Sequence, residues 1–234
     1  MDNNEKIKYI IKLNEKYRAN NCNGISSTGI NFKIIDGNLP ILLSAPHAVR
    51  QNRNSQIKGA DTLTGPIVEF LCKRTGANGI IRTSNLQDDP NFENVGYGLE
   101  YKNAILKLAK EKNIVCMLDI HGCSNNQSFD IDIGTNNGIN THHINSYLST
   151  IYEKLASIGH TTIDHTFTAS QDTTICNYIS SKADISCFQI ELATSLRKDS
   201  TNLLRLLDCF EIMINKLSKQ IETKRNDTEF EIRI

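Results

Sequence analysis

Short apolar stretches of strand length alternate along this chain with longer stretches in which apolar residues recur at helical spacing. The run at 114–120 is almost continuously apolar, which is typical of a strand covered on both faces of a sheet. The run at 129–133 alternates between apolar and polar residues, and it predicts a more exposed strand. Strands are predicted at 32–35, 40–45, 79–83, 114–120, 129–133, 161–164 and 185–192, and helices at 6–17, 62–74, 97–112, 139–158, 173–181 and 200–224.

This order of elements predicts an α/β fold, with a mainly parallel mixed sheet flanked by helices. No linker and no internal repeat interrupts the pattern, so we expect a single domain over 1–234. Its parts are an N-terminal helix at about 6–17, a core at about 30–224 and a tail at 225–234. Within the tail, the alternation at 230–234 predicts an edge strand.

Composition argues against several classes of function. The chain has 26 basic and 26 acidic residues among 234, which argues against a nucleic-acid-binding surface and a polybasic membrane anchor. No apolar run approaches the roughly 20 residues of a membrane-spanning helix. The polar start of the chain has no apolar signal-peptide region, and the seven cysteines include no Cys-x-x-Cys pair. We therefore expect a cytoplasmic protein with reduced thiols.

Candidate metal ligands and proton carriers come at the ends of three predicted buried strands. His47, His121 and Glu191 each occupy such a position. In an open α/β sheet, ligands bind beyond the carboxyl ends of the strands. The three side chains are therefore expected to converge on one edge of the sheet.

His47 and His121 suit a divalent metal ion, which neutral imidazole nitrogens bind well. A catalytic zinc site takes three protein ligands, and Asp61 is the nearest acidic candidate after His47. Asp61 also precedes the helix predicted at 62–74, so it could be a plain N-cap, or fill both roles. Asp119 lies two residues before His121 on the same strand face, where it could accept the imidazole N–H.

Glu191 is a carboxylate at the end of a strongly apolar strand, where an unpaired charge would be costly. In one interpretation it is the general base beside a metal-activated water, and Arg197 binds a substrate carboxylate. In the other, Glu191 and Arg197 form a structural ion pair. Arg50 and Arg53 follow His47 in what is by default a solvated loop, but beside a metal they suit an anionic substrate.

The remaining candidates have structural interpretations. The acidic stretch 88–91 is a turn signal, to which we assign no catalytic role. Cys123 is interpreted as a buried cysteine rather than a nucleophile. No Gly-x-Gly-x-x-Gly, P-loop or Gly-x-Ser-x-Gly motif occurs, so dinucleotide, nucleotide and serine-hydrolase functions lack their signatures. The other histidines are interpreted as solvent-exposed: His142, His143, His160 and His165.

Together, these segments resemble the N-formylglutamate amidohydrolase family, within the wider zinc carboxypeptidase-like hydrolases. They occur in the family's order, and each of them is short. The matching segments are Ser44-Ala45-Pro46-His47, Lys58-Gly59-Ala60-Asp61 with Thr64-Gly65, Leu118-Asp119-Ile120-His121-Gly122, Phe129-Asp130-Ile131-Asp132-Ile133-Gly134, and Gln189-Ile190-Glu191 with Leu196-Arg197.

The resemblance implies the zinc carboxypeptidase (phosphorylase/hydrolase-like) fold and one zinc ion per chain, bound by two histidines and one acidic residue. It also implies a glutamate that activates water, here Glu191, and an arginine that binds a substrate carboxylate, here Arg197 or Arg50. Zinc carboxypeptidases carry their acidic ligand three residues after the first histidine, where this sequence has Arg50. Asp61 takes its place, by its resemblance to the acidic position before the Thr-Gly of relatives.

We therefore expect a metal-dependent amidohydrolase that uses a zinc-activated water to cleave a small anionic substrate, an N-acylated acidic amino acid. Two alternatives stay open. One is a non-enzymatic α/β module that binds an anionic ligand in the same cleft, with His47 and His121 as hydrogen-bond donors. The other is a zinc peptidase acting on γ-glutamyl or cell-wall peptides. One tightly bound zinc ion per chain favours an enzyme over the binding module.

Overall fold

The computed structural model describes residues 1–25, 31–142 and 144–232, with side chains through 227. The strands of this described part are β1 (Phe32–Ile35), β2 (Ile41–Ala45), β3 (Gln51–Arg53), β4 (Gln56–Lys58), β5 (Asn78–Arg82), β6 (Cys116–Cys123), β7 (Ile131–Gly134), β8 (Thr161–Ile163) and β9 (Ser186–Ala193). Its helices are α1 (Asn3–Cys22), α2 (Thr64–Thr75), α3 (Gly96–Glu111), α4 (Asn145–Ala156), α5 (Ile175–Ser180), α6 (Thr194–Lys198) and α7 (Ser200–Ile232), and a 3₁₀ turn covers Ile139–Thr141.

A mixed sheet has the strand order β1-β5-β2-β6-β9-β7-β8, and β3 pairs with β4 in a separate hairpin. The central strands β5, β2, β6 and β9 are parallel to one another, and β8 is parallel to β7. Antiparallel pairing occurs between β1 and β5 and between β7 and β9. The predicted α/β fold with a mainly parallel mixed sheet is confirmed.

Helices cover both faces of the sheet. The larger core lies between one face and α1, α2, α4 and α7, and Leu118 and Phe188 belong to it. The smaller core lies between the other face and α3 and α5, and it includes Met117 and Cys187. Because successive strand residues point to opposite faces, every second residue after Met117 and Cys187 faces the α3 and α5 side.

The strand predicted at 129–133 is present as β7, but it is buried rather than exposed, so that part of the prediction is wrong. It lies between β9 and β8, and Asp132, the polar residue of β7 itself, is completely buried. Its carboxylate accepts hydrogen bonds from the backbone N–H groups of 165–167 and from the Thr162 hydroxyl. Four donors satisfy this carboxylate, so it can be buried without an unpaired charge. A buried strand that contains such a residue has the same alternating sequence pattern as an exposed strand.

Two other predicted elements have different extents. The edge strand predicted at 230–234 is wrong, because α7 continues to Ile232. Residues 233–234 lie outside the described part. Five alternating residues are too short a pattern to decide against a helix that is already formed. The helix predicted at 139–158 is divided into the 3₁₀ turn and α4, because His142 adopts a left-handed backbone with φ 49°. His143 lies outside the described residues.

The solvated loop predicted after His47 is partly ordered into the hairpin of β3 and β4, which contains Arg53. The left-handed residues Asn54 and Ser55 form its two-residue turn, in which both positions require a positive φ. Among the described residues, no helix is long and apolar enough to cross a membrane. All seven cysteines are free, and Cys123 is buried as predicted.

The larger core predicts where the fold is most sensitive to truncation. Phe188 is completely buried in β9, so Phe188→Ala is expected to lower the free energy of unfolding by about 3–5 kcal/mol. Ile212 on α7 is 57% exposed, and Ile212→Ala is expected to change it by less than about 0.5 kcal/mol. Chemical denaturation of both variants measures the difference. Equal effects would contradict this description of the core.

Candidate metal centre

Neighbouring strands carry three of the candidate residues to one edge of the sheet. His47 lies in the turn after β2, His121 within β6 and Glu191 within β9. β6 pairs with both β2 and β9, and His121 is the register partner of Glu191. Both residues lie an even number of positions after Met117 and Cys187, so they point to the α3 and α5 face.

Two imidazole nitrogens and one carboxylate oxygen face one another in the interior. His47 Nδ1 is 3.2 Å from His121 Nδ1 and 3.3 Å from Asp61 Oδ2. His121 Nδ1 is 3.7 Å from the same oxygen. A tetrahedral zinc ion with bonds of about 2.0–2.1 Å places its ligand atoms about 3.3–3.4 Å apart. The three atoms therefore have nearly the spacing of three corners of a zinc site.

Each imidazole contacts a further carboxylate through its other nitrogen. His47 Nε2 is 2.9 Å from Asp89 Oδ1, and His121 Nε2 is 2.9 Å from Asp119 Oδ2. When Nε2–H donates to a carboxylate, the lone pair of Nδ1 points toward the other candidate ligands. Metal-binding histidines usually have such a partner, which fixes the tautomer and the ring orientation.

Asp61 is not a helix cap, so that interpretation is wrong. α2 begins at Thr64, and its N-cap is Leu63, which has a left-handed backbone (φ 76°) and makes no side-chain cap hydrogen bond. The Asp61 carboxylate turns toward the histidines instead, and its Oδ2 accepts the Gly122 backbone N–H at 3.0 Å. The Asp61 backbone N–H donates to the His47 carbonyl at 2.8 Å. These two contacts hold Asp61 in a fixed relation to both histidines.

The electrostatics of this cluster favour a bound cation. Burial lowers the pKa of His47, but the carboxylates of Asp89 and Asp61 outweigh it and raise that pKa to about 9. For His121, Asp119 and Asp61 likewise outweigh burial and raise the pKa well above its usual range. Burial alone would raise the pKa of Asp61, yet its hydrogen bonds to the histidines hold it well below its usual range. Protonating both histidines would balance these carboxylates, but it would place two Nδ1–H groups against each other at 3.2 Å. A divalent cation between the two nitrogens balances the same negative charge without that repulsion.

Glu191 lies beside the three candidate ligands. Its Oε1 is 4.0 Å from His121 Nδ1 and accepts a hydrogen bond from Gln189 Nε2 at 3.0 Å. The side chain is buried, and burial raises the pKa of its carboxyl to about 7 against the opposing effect of His121 and His47. A carboxyl with a pKa near neutrality can both take up and release a proton.

Arg197 is buried and donates most of its N–H groups to backbone oxygens. The atoms that accept them are the carbonyls of Leu192, Thr62 and Cys123 and the hydroxyl of Thr194. Its guanidinium lies so close to Gly122 that a Cβ there would clash with Arg197 Cζ. Among the described residues it makes no ion pair with Glu191, so the alternative interpretation of these two residues as a structural ion pair is wrong.

The two arginines after His47 differ in their contacts. Arg53 donates through Nε and Nη2 to Asp89 Oδ2, at 3.0 and 2.8 Å, and its guanidinium lies 4.7 Å from the centre of the Phe92 ring. Arg50 is half-buried, and within the described part of the chain its guanidinium has no hydrogen bond or ion pair. Arg53 is therefore committed to Asp89 through two of its donors, whereas the whole guanidinium of Arg50 is unpaired in the described part of the chain.

Asp89 is the residue of this site that the sequence analysis missed. The stretch 88–91 is a turn, as predicted, and the Asn91 backbone N–H donates to Asp89 Oδ1 at 2.9 Å. The same carboxylate is completely buried and also contacts His47 and Arg53. The available signal is the position of this turn after the strand predicted at 79–83, because the carboxyl end of a parallel strand brings the two acids to the edge of the sheet that carries His47.

The other described histidines do not belong to this group of candidate ligands. His160 and His165 are exposed at the two ends of β8, as predicted. His142 is exposed as well and lies 3.9 Å from the exposed carboxylate of Asp184. Within the described part of the chain, the three-residue metal group is His47, Asp61 and His121.

Several solved structures share this fold. No protein-family model and no curated protein sequence matches the chain. N-formylglutamate amidohydrolase from Ralstonia eutropha is similar, with 13% identity, a TM-score of 0.66, and 83% of this chain and 99% of that chain covered. A bacteriophage poly-γ-glutamate hydrolase has 14% identity and a TM-score of 0.54, over 82% and 92% of the two chains. A gene product of Agrobacterium tumefaciens has 13% identity and a TM-score of 0.59, over 83% and 97%. These similarities confirm the expected fold.

The contacts of Asp61 predict a strong effect of removing its charge. Asp61→Asn is expected to lower the affinity for zinc by more than about 100-fold. Removing a residue that only hydrogen-bonds to a metal ligand already lowers metal affinity by about 10- to 100-fold, and a direct ligand should matter more. Asp36→Asn is the control, since Asp36 is an exposed carboxylate that pairs with Lys112 at the surface. A competition titration with a chelating dye measures both affinities. Unchanged affinity in Asp61→Asn would exclude it as a ligand.

The pKa shifts predict that zinc binding releases protons. The metal-free protein keeps a proton on His47 up to a pH of about 9, against an ordinary value of 6.5, and zinc must displace it. The affinity for zinc is therefore expected to rise with pH between 6.5 and about 9. Calorimetry at neutral pH, in buffers of different ionisation enthalpy, counts the protons released. An affinity independent of pH in this range would contradict the assignment.

Proposed function

We propose that this protein is a zinc-dependent amidohydrolase that cleaves the amide bond of a small N-acylated acidic amino acid, such as N-formylglutamate. The observation that carries the proposal is the juxtaposition of three ligand atoms at near-tetrahedral spacing with the buried carboxyl of Glu191. The fold shared with an N-formylglutamate amidohydrolase supports the choice of substrate class. The cytoplasmic location stays a prediction from the sequence.

The donor set fits zinc. His47, Asp61 and His121 offer two imidazole nitrogens and one carboxylate oxygen, and a catalytic zinc site takes three such ligands and keeps a fourth position open. Zinc bound there supplies a Lewis acid that polarises a carbonyl and lowers the pKa of water from 15.7 to about 7. Asp89 and Asp119 keep the Nδ1 lone pairs of both histidines directed at this position.

In this proposal Glu191 is the general base. Its carboxylate accepts a proton from the water that attacks the acyl carbon, and it then gives that proton to the nitrogen of the departing amino acid. Burial suits Glu191 to both steps because it raises the pKa of the carboxyl to about 7. Near neutrality the group can therefore both accept a proton and release it. Products are the free carboxylic acid and the free amino acid.

Recognition of the substrate carboxylate is assigned to Arg50. Arg50 is half-buried, follows His47 by three residues, and retains the donors that a bidentate contact with a carboxylate needs. Arg197, the other candidate, holds the ends of β6 and β9 to the segment before α2 through the carbonyls of Cys123, Leu192 and Thr62. We therefore assign Arg197 to positioning this edge of the sheet.

A γ-glutamyl peptide is the second candidate substrate. The observation that favours it is the fold shared with a bacteriophage poly-γ-glutamate hydrolase. The same groups would act on it, since a γ-glutamyl amide also presents a scissile amide and a nearby carboxylate. Turnover of N-formyl-L-glutamate, N-formyl-L-glutamine and poly-γ-glutamate by the zinc-loaded protein separates the candidates. Stoichiometric zinc without turnover of any amide would favour a binding module.

Replacing Glu191 tests the mechanism. Glu191→Gln keeps the shape of the side chain but removes the proton acceptor, so turnover is expected to fall by about 10²–10⁴-fold. Zinc occupancy and the melting temperature should stay near those of the wild type, because Glu191 has no ion pair with Arg197 to lose. Steady-state kinetics, elemental analysis and thermal melts measure the three quantities. Near-normal turnover by folded, zinc-loaded Glu191→Gln would rule out this mechanism.

A further inference from the structure

Two buried oxygen atoms beneath the metal ligands have no hydrogen-bond donor among the described residues. They are Asp119 Oδ1 and Gln189 Oε1. Asp119 is completely buried and the exposed fraction of Gln189 is 4%. The two residues are register partners on β6 and β9, and their side chains point to the same face of the sheet. A buried acceptor without a donor is rare in folded proteins, so each of these atoms requires an explanation.

The other polar atom of each side chain has a defined contact. Asp119 Oδ2 is 2.9 Å from His121 Nε2, and Gln189 Nε2 donates to Glu191 Oε1 at 3.0 Å. Asp119 thus orients a candidate metal ligand, and Gln189 orients the proposed general base. The two unpartnered oxygens belong to register partners on adjacent strands.

Rotating the Gln189 amide by 180° does not solve the problem. Gln189 Oε1 would then take the place of Nε2 and face the Glu191 carboxylate, acceptor against acceptor. With an ionised Glu191, the observed orientation is the one that gives this carboxylate a donor. Two acceptors can be satisfied together by a small molecule with two donor hydrogens, and buried water typically fills this role.

We propose that Asp119 and Gln189 bind one buried water molecule that donates to both oxygens, and that Gln189 is a positioning residue for Glu191. This inference rests on the proposed function, in which Glu191 is the general base. The water locks the Gln189 amide with its Nε2 toward Glu191. The resulting chain, His121–Asp119–water–Gln189–Glu191, fixes the base relative to a metal ligand across two strands.

The structural test compares crystal structures of the zinc-loaded wild type and of Gln189→Met, which has a similar volume and no amide. In the wild type we expect a water within about 2.6–3.2 Å of both oxygens. In Gln189→Met we expect both histidines and the zinc to stay in place, while the Glu191 carboxylate moves from its wild-type position. This test needs no substrate, and the wild-type structure alone tests the water.

Three structural results would overturn the inference. One is an amide of Gln189 that contacts Asp119 directly, with no water between them. Another is a metal cation in place of the water. The third is a Glu191 carboxylate that keeps its wild-type position in Gln189→Met, since Gln189 would then not be what holds it.

A matched control exists on α7. Gln220 Nε2 donates to Thr150 Oγ1 at 2.9 Å, and its buried Oε1 also has no donor among the described residues. Gln220→Met therefore removes the same kind of group far from the metal ligands. We expect it to leave zinc affinity, turnover and the position of Glu191 unchanged. An equal loss of turnover in both variants would indicate a general structural effect and overturn the positioning role.

The kinetic test uses N-formyl-L-glutamate and a double variant. Gln189→Met is expected to lower kcat by about 10- to 100-fold, the usual effect of a misplaced catalytic group, with KM within about twofold and zinc affinity unchanged. Because Gln189 acts through Glu191, adding Gln189→Met to Glu191→Gln should cause no further loss. Additive losses would overturn the inference.

The two proposals fail in different ways. Full turnover by Glu191→Gln contradicts the proposed function itself. An inactive Glu191→Gln together with full turnover by Gln189→Met leaves the function in place and overturns only the role of Gln189.

Discussion

The contact of one half-buried carboxylate with two buried imidazoles is the constraint on which this site depends. Asp61 belongs to the segment before α2, His47 to the turn after β2, and His121 to β6. The exposed fraction of the Asp61 side chain is only 14%, and a carboxylate largely removed from solvent is unfavourable without partners. The Asp61 side chain therefore favours the meeting of these three elements. Two backbone hydrogen bonds, from Asp61 to the His47 carbonyl and from Gly122 to Asp61 Oδ2, hold the arrangement.

The polar network extends outward from the histidines and involves the surrounding loops. Asp89 connects His47 to Arg53, so the hairpin of β3 and β4 is attached to the loop after β5. Lys102 on α3 is completely buried beneath that loop, where it donates to the Glu93 carbonyl and the Asn94 side chain. Burial lowers the pKa of Lys102 to about 8. Several loops at the carboxyl edge of the sheet are thus held by charged groups from the interior, which suits a site that needs fixed geometry.

The two faces of the sheet have different roles. The α1, α2, α4 and α7 face is apolar along the central strands, and it contains the larger core. On the α3 and α5 face, β6 and β9 change from apolar to polar along their length, from Met117 and Cys187 to His121 and Glu191. The amino-terminal halves of these strands therefore stabilise the fold, and their carboxyl-terminal halves carry the candidate site residues.

The sequence by itself determined the fold class and most of the site. Strand and helix periodicity is local, so it predicts an α/β sheet, and it places His47, His121 and Glu191 at one edge because parallel strands end together. The pairing of Asp119 with His121 also follows from spacing on one strand.

The tertiary structure decided what depends on contacts between distant segments. It showed that Asp61 turns away from α2 toward the histidines, that Asp89 reaches His47 from a turn 42 residues away, and that Arg197 donates to backbone carbonyls rather than to Glu191. It also showed that Asp132 is buried. The four donors that make this possible come from β8 and the loop after it, about 30 residues along the chain. A side chain at a turn or cap has the same local pattern whether it faces solvent or the interior. Only the packing of the whole chain determines which partner it finds.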